Sequence, residues 1–147
     1  MEVPFNPNRG DGRMKVYPNK VPRITATFGV QPGYNTTPMK NSPSESSVRS
    51  RIQKISEEYF KETGRYCSFV VFPTRTIYRF EWGCPNGVEE TYTVQSTADP
   101  ERCVTEYNRA EYIRDCKNII LEIAKSFDQC TVRIDTETVL CDKYVMK

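Results

Sequence analysis

The sequence predicts an α+β domain: a mostly antiparallel sheet of about five strands with two helices, in the order α-β-β-β-α-β-β, behind an extended Pro-rich N-terminal arm. Three observations predict it. Two stretches repeat apolar residues at helical spacing, several shorter runs alternate apolar and polar residues, and seven of the ten prolines fall in residues 1–43. A chain of 147 residues suits one such domain with an appendage. The expected division is an arm over 1–42 and a compact domain over 43–147.

The arm shows no apolar period except Arg23-Ile24-Thr25-Ala26-Thr27-Phe28, a run fit for an edge strand. Ser42-Pro43-Ser44-Glu45 then reads as a capped helix start, with Ser42 as cap and Pro43 in the first turn. Val48, Ile52, Ile55 and Tyr59 share one face of a helix over about 43–63, and Gly64 is placed to end it. Tyr66 to Phe72 reads as a buried strand broken by Pro73-Thr74. Thr76 to Trp82 reads as a second strand with Tyr78, Phe80 and Trp82 on a core-facing side. Asn86-Gly87 is a hairpin signal, followed by a strand from Val88. Asp99-Pro100 opens a second helix whose stripe is Ile113, Cys116, Ile120, Ile123 and Phe127. Its polar first half suggests a kink. Cys130 to Asp135 and Val139 to Val145 read as a closing hairpin turning at Thr136-Glu137.

Charge is unevenly spread. The formal net charge is +2, yet residues 1–43 carry net +4 and the remainder net −2. Within the basic arm, aromatic and apolar residues recur at intervals that suit a strap lying along a surface. The function expected from this layout is non-enzymatic: a structural, assembly or adaptor protein whose arm docks on a partner subunit or polymeric lattice, such as a viral particle or a cytoskeletal filament. Phe5, Tyr17, Phe28 and Tyr34 are the expected anchors. Arg13, Lys15, Lys20 and Arg23 are expected to meet an acidic protein surface. The alternative is a nucleic-acid-binding module, with the same basic groups on phosphates and the aromatics stacked on bases. The α-β-β-β-α portion resembles the element order of double-stranded-RNA-binding domains, although Asp99-Pro100-Glu101-Arg102 stands where that family carries a basic cluster. A small-ligand-binding protein is the further alternative.

Catalysis is not expected from the residue types. There is no His, which removes Ser-His-Asp and Cys-His nucleophile activation for a lone chain, and Cys/His zinc sites with them. The six cysteines stand too far apart for a CxxC pair, so no metal is expected; Cys67, Cys116, Cys130 and Cys141 fall on core positions, while Cys84 sits in a turn. Glu89 and Glu90 are adjacent on a strand, point to opposite faces and cannot act as a carboxylate pair. No P-loop or GxGxxG stands between a strand and a helix, so no cofactor is expected. No apolar stretch is long enough to span a bilayer, and the opening Met-Glu-Val-Pro-Phe-Asn-Pro has no signal-peptide core. The expected location is therefore intracellular, with no membrane partner.

Overall fold

A computed structural model describes residues 20–30, 43–81, 87–144 and 146. Its elements run β1 (Lys20–Gly29), α1 (Glu45–Thr63), β2 (Phe69–Ile77), β3 (Val88–Ser96), a short 3-10 turn (Pro100–Arg102), α2 (Glu106–Ser126) and β4 (Arg133–Leu140). The class is α+β: two helices and one four-stranded sheet in the order β2-β3-β1-β4, every neighbouring pair antiparallel.

The largest departure from the sequence reading lies in β1. Residues 20–29, read as part of the arm, form an interior strand hydrogen-bonded to β3 on one side and β4 on the other. An edge assignment fails because both flanks are occupied. Thr25 lies opposite Gln95 in one register and opposite Asp135 in the other. Ile24, Ala26 and Phe28 alternate toward the helices and are all buried.

Two of the expected strands fuse. β2 continues through Pro73, which pairs with Tyr92. Proline has no N–H for a ladder, and an edge strand is where a sheet tolerates it. β4 is likewise one strand: Thr136 and Glu137 are paired with Ile24 and Arg23 instead of forming a turn. Thr is β-branched and favours extended backbone over a tight turn.

The helices keep their expected faces and shift their starts. Ser44, not Ser42, caps α1, its Oγ accepting from the Ser47 N–H at 3.1 Å. Gly64 closes the helix at φ 77°, a conformation in which a side chain would be strained. Asp99-Pro100 opens only the 3-10 turn; α2 begins after Thr105, whose Oγ1 accepts from the Asn108 N–H at 3.0 Å. Val48 and Ile52 from α1 meet Cys116, Ile119, Ile120 and Ile123 from α2 over Tyr92 and Val94 of β3 in a single core. Among the described residues no helix is long and apolar enough to cross a membrane.

Candidate active site

The strand positions that do not face the helices form a plane rich in hydroxyls. Thr76 Oγ1 donates to Thr91 Oγ1 at 3.1 Å, Thr74 lies 2.8 Å from Thr91 and 3.2 Å from Thr93, and Thr93 lies 2.7 Å from Thr27. Each hydroxyl brings one hydrogen and two acceptor sites, so a chain bonded to itself runs short of hydrogens and keeps acceptors to spare. Such a surface favours ligands that donate hydrogen bonds or carry positive charge. On the same face of β2, Val70 and Phe72 are exposed, opposite Gln95 and Thr93.

A carboxylate stands at one end of this plane. Glu89 shares the face of Thr91 and Thr93, by the strand's two-residue alternation. The Tyr78 hydroxyl, just past the end of β2, donates to Glu89 Oε1 at 2.5 Å. The β2–β3 turn that permits this is fixed by Gly87, at φ 77°, whose carbonyl accepts the Tyr78 N–H at 2.6 Å. A side chain at Gly87 would stand 2.9 Å from the Arg79 carbonyl oxygen, so only glycine fits the turn. The Glu89 carboxylate lies over the backbone of Gly29 at the end of β1. Gln129, in the loop after α2, brings Oε1 to the same spot and ties Nε2 to the Phe127 carbonyl at 3.1 Å. Gln129 also lines an open depression of about 580 Å³ beside Lys125, Asp128 and Cys130. Three other segments, those of Tyr78, Gly29 and Gln129, thus converge on the Glu89 carboxylate, Tyr78 bringing a phenol beside it. A carboxylate attracts a cation, and an aromatic ring offers its electron-rich face to one.

A second polar cluster is buried between the helices. Asp115, fully buried on α2, receives Arg65 Nε at 2.8 Å and Nη2 at 3.0 Å, Arg102 Nη2 at 3.0 Å, and the Tyr59 hydroxyl at 2.5 Å. Burial by itself would raise the Asp115 carboxyl, but the hydrogen bonds from Arg65, Tyr59 and Arg102 outweigh it and hold the group below its ordinary value. With both oxygens occupied, this knot serves as framework: it fastens α1, the chain entering β2, the 3-10 turn and α2 to one another. Cys67 and Cys116 lie against it. Cys116 is pushed up by its hydrogen bond to Cys67 and by burial, and Cys67 is drawn down by that same bond and by Arg102. Burial and Asp99 push Cys103 up to about 11.

Of the residues expected to bind a partner, the structure describes Lys20, Arg23 and Phe28. Phe5, Arg13, Lys15, Tyr17 and Tyr34 lie outside the described residues. Lys20 is exposed at the start of β1, and Arg23 is half-buried opposite Glu137. Phe28 is 3% exposed, with its ring stacked 5.9 Å from Phe127, so it is core and has no surface to offer a partner. The expected core strand of Tyr78, Phe80 and Trp82 is also corrected at its described residues, Trp82 lying outside them. β2 ends at Ile77, and Phe80 is 77% exposed. Cys67 and Cys116 are core as expected, whereas Cys130 is exposed. Native-state alkylation followed by peptide mapping is expected to label Cys130 quickly and Cys67, Cys103 and Cys116 only on unfolding. Rapid labelling of Cys116 would contradict its burial. In the sequence Glu89 stands beside Glu90, which faces the other side of the strand, so no acid pair marks it. The available signal was its place in the alternation Glu89, Thr91, Thr93, which puts an acid at the rim of a hydroxyl face. Among the described residues no group of three His, Cys, Asp or Glu stands together to hold a metal ion.

The sequence profile of a family described as SAM lyase matches residues 19–144. Among solved structures, a phage SAM lyase in its apo state is similar at 11% identity and TM-score 0.51, covering 87% of this chain and 95% of that one. A phage SAM lyase in complex with S-methyl-5'-thioadenosine is similar at 11% identity and TM-score 0.47, covering 82% and 89%. No curated protein sequence matches the chain. The family match, extending from the first residues of β1 to beyond β4, overturns the expectation of a non-enzymatic structural, assembly or adaptor protein, because this is a family of enzymes. The absence of His misled by removing only the catalytic devices that need an imidazole. A protein whose central strand reads in sequence as part of an arm, and whose Glu89 reads only as unable to pair with Glu90, belongs to the SAM lyase family.

Proposed function

We propose that this chain cleaves S-adenosylmethionine at its sulfonium centre, with Glu89 as the anion that meets the positive charge. Family membership supports the substrate. The single observation that carries the site is the Glu89 carboxylate, held by Tyr78 and seated on Gly29 at the end of an acceptor-rich face.

The chemistry explains why so few conventional catalytic groups are needed. A sulfonium carries its own leaving group. When a carbon–sulfur bond breaks, sulfur keeps the electron pair and departs as a neutral thioether. A lyase adds no water, so the carbon left behind satisfies its valence from within the same substrate. Neither a histidine nor an activated serine or cysteine is required. What the protein must supply is orientation of the substrate and a field that favours the cation in a reactive conformation. The threonine hydroxyls and Glu89 provide acceptors for a ligand with an ammonium group, an amine and ribose hydroxyls, and exposed Phe72 offers a flat apolar surface beside them. The site of action in this reading is intracellular, where cells hold this substrate.

The test is to incubate the purified chain with S-adenosylmethionine and to quantify substrate and thioether products by mass spectrometry against a buffer blank. Consumption well above the spontaneous rate, with a thioether appearing in equal amount, supports the reading. Decay at the blank rate overturns it.

A further inference from the structure

Gly29 is the residue on which the Glu89 carboxylate rests, and we infer that it is a positioning residue whose missing side chain is the seat for that carboxylate. This rests on the reading of Glu89 as the anion for the sulfonium. A Cβ built on Gly29 would fall inside the Glu89 carboxylate, with Glu89 Cδ at 2.9 Å and Gln129 Oε1 at 3.1 Å. Both obstacles are the far ends of flexible side chains, not backbone. Gly29 is also at an unremarkable backbone angle, in contrast to Gly64 and Gly87, so no conformational demand explains its lack of a side chain. It ends an interior strand, paired with Thr91, at a position where a β-branched residue would ordinarily serve the sheet better. What glycine provides here is room. The carboxylate can rest against the strand with one oxygen on Tyr78 and the other over Gly29, instead of swinging into solvent.

The consequence is a substitution that disturbs the site without disturbing the fold. Gly29→Ala displaces two side-chain ends that can each rotate away. It should therefore leave the melting midpoint within a few degrees while lowering kcat/KM for S-adenosylmethionine by roughly 30-fold or more, the scale expected when a charged group is moved by about an ångström. The decisive measurement is a cycle of Gly29→Ala, Glu89→Ala and both together. If Gly29 acts through Glu89, the double variant is no less active than Glu89→Ala alone, and any loss of stability from Gly29→Ala disappears once Glu89 is truncated. If instead the two losses multiply, or if Gly29→Ala turns over at the wild-type rate while Glu89→Ala is inactive, the positioning role is refuted. Should Gly29→Ala fail to fold even with Glu89 truncated, the seat belongs to the backbone and the assignment is again refuted. Full activity of Glu89→Ala is a separate outcome: it removes Glu89 from the reaction, and the Gly29 assignment falls with it. Affinity for S-methyl-5'-thioadenosine, which lacks the positive charge, should be little changed by Gly29→Ala, whereas a collapsed site would lose both ligands.

Discussion

Asp115→Asn is expected to destabilise the fold by about 3 kcal/mol, the usual scale for removing one partner of a buried ion pair. In a domain of this size that corresponds to a fall in melting midpoint of roughly 6–12 °C. Asp115 is fully buried and is the common acceptor for Arg65, Arg102 and Tyr59. The amide of Asn keeps the shape but brings N–H donors to face two guanidinium groups, so donors meet donors. Arg65 retains Glu111 at 3.7 Å, which softens the loss on its side; Arg102 has the Tyr66 carbonyl but, among the described residues, no second carboxylate in contact. Because the folded-state carboxyl is depressed, its stabilisation is complete above the unfolded value near 3.9 and is lost as pH falls through the lower folded value. Chemical denaturation of both proteins at neutral pH and between pH 2 and 4 checks this. The wild type should lose more stability on acidification than Asp115→Asn does. Equal midpoints at neutral pH would show that the knot contributes nothing to the fold.

Glu89→Gln should reduce kcat/KM for S-adenosylmethionine by about 100-fold or more, in line with the loss of one well-placed electrostatic partner. Gln is nearly isosteric and still accepts a hydrogen bond from Tyr78, so the seat on Gly29 and the local packing are preserved. Only the charge goes. A 100-fold loss corresponds to about 2.7 kcal/mol of transition-state stabilisation. Two signatures accompany it if the charge meets the sulfonium. Affinity for the neutral thioether stays close to that of the wild type, and the melting midpoint does not move. Wild-type turnover by Glu89→Gln would take the carboxylate out of the mechanism.

Both helices were legible in the sequence because their information is local. The apolar spacing of Val48 and Ile52, the stripe from Cys116 to Ile123, and Gly64 at the helix end each depend on residues within a turn or two. The sheet was less so. β1 carries Pro22 and a weak alternation, and what makes it a central strand is the pairing on both sides with segments far along the chain. Pro73 looked like a break because its edge position, which makes it harmless, is set by topology. The start of α2 was misplaced because Asp99-Pro100 does open a helical turn, and only the Thr105 cap shows that a second start follows.

The site was least legible of all. Glu89 has no useful neighbour in sequence; its partners Tyr78, Gly29 and Gln129 arrive from three other segments. Asp115 was likewise hidden, an acid on an otherwise apolar helix face whose arginines come from other elements. Composition points away from chemistry because it reveals only activated nucleophiles and acid–base pairs. A substrate with a built-in leaving group asks for neither.

The placement of β1 also governs how the molecule comes into being. Its two flanking strands, β3 and β4, are both synthesised well after it, and the contacts that hold it are therefore non-local, which makes for slow folding. Until β3 is synthesised there is no partner for either edge of β1, and until β4 follows, the side from Lys20 to Thr27 stays open. A nascent or truncated chain ending before Arg133 would already contain Gly29, Tyr78 and Glu89, and so the groups proposed to act on the substrate, yet it would present a bare interior strand edge to any other chain nearby. The hazard during synthesis is aggregation through β1, and termination between β3 and β4 should yield insoluble product more readily than a weakly active one.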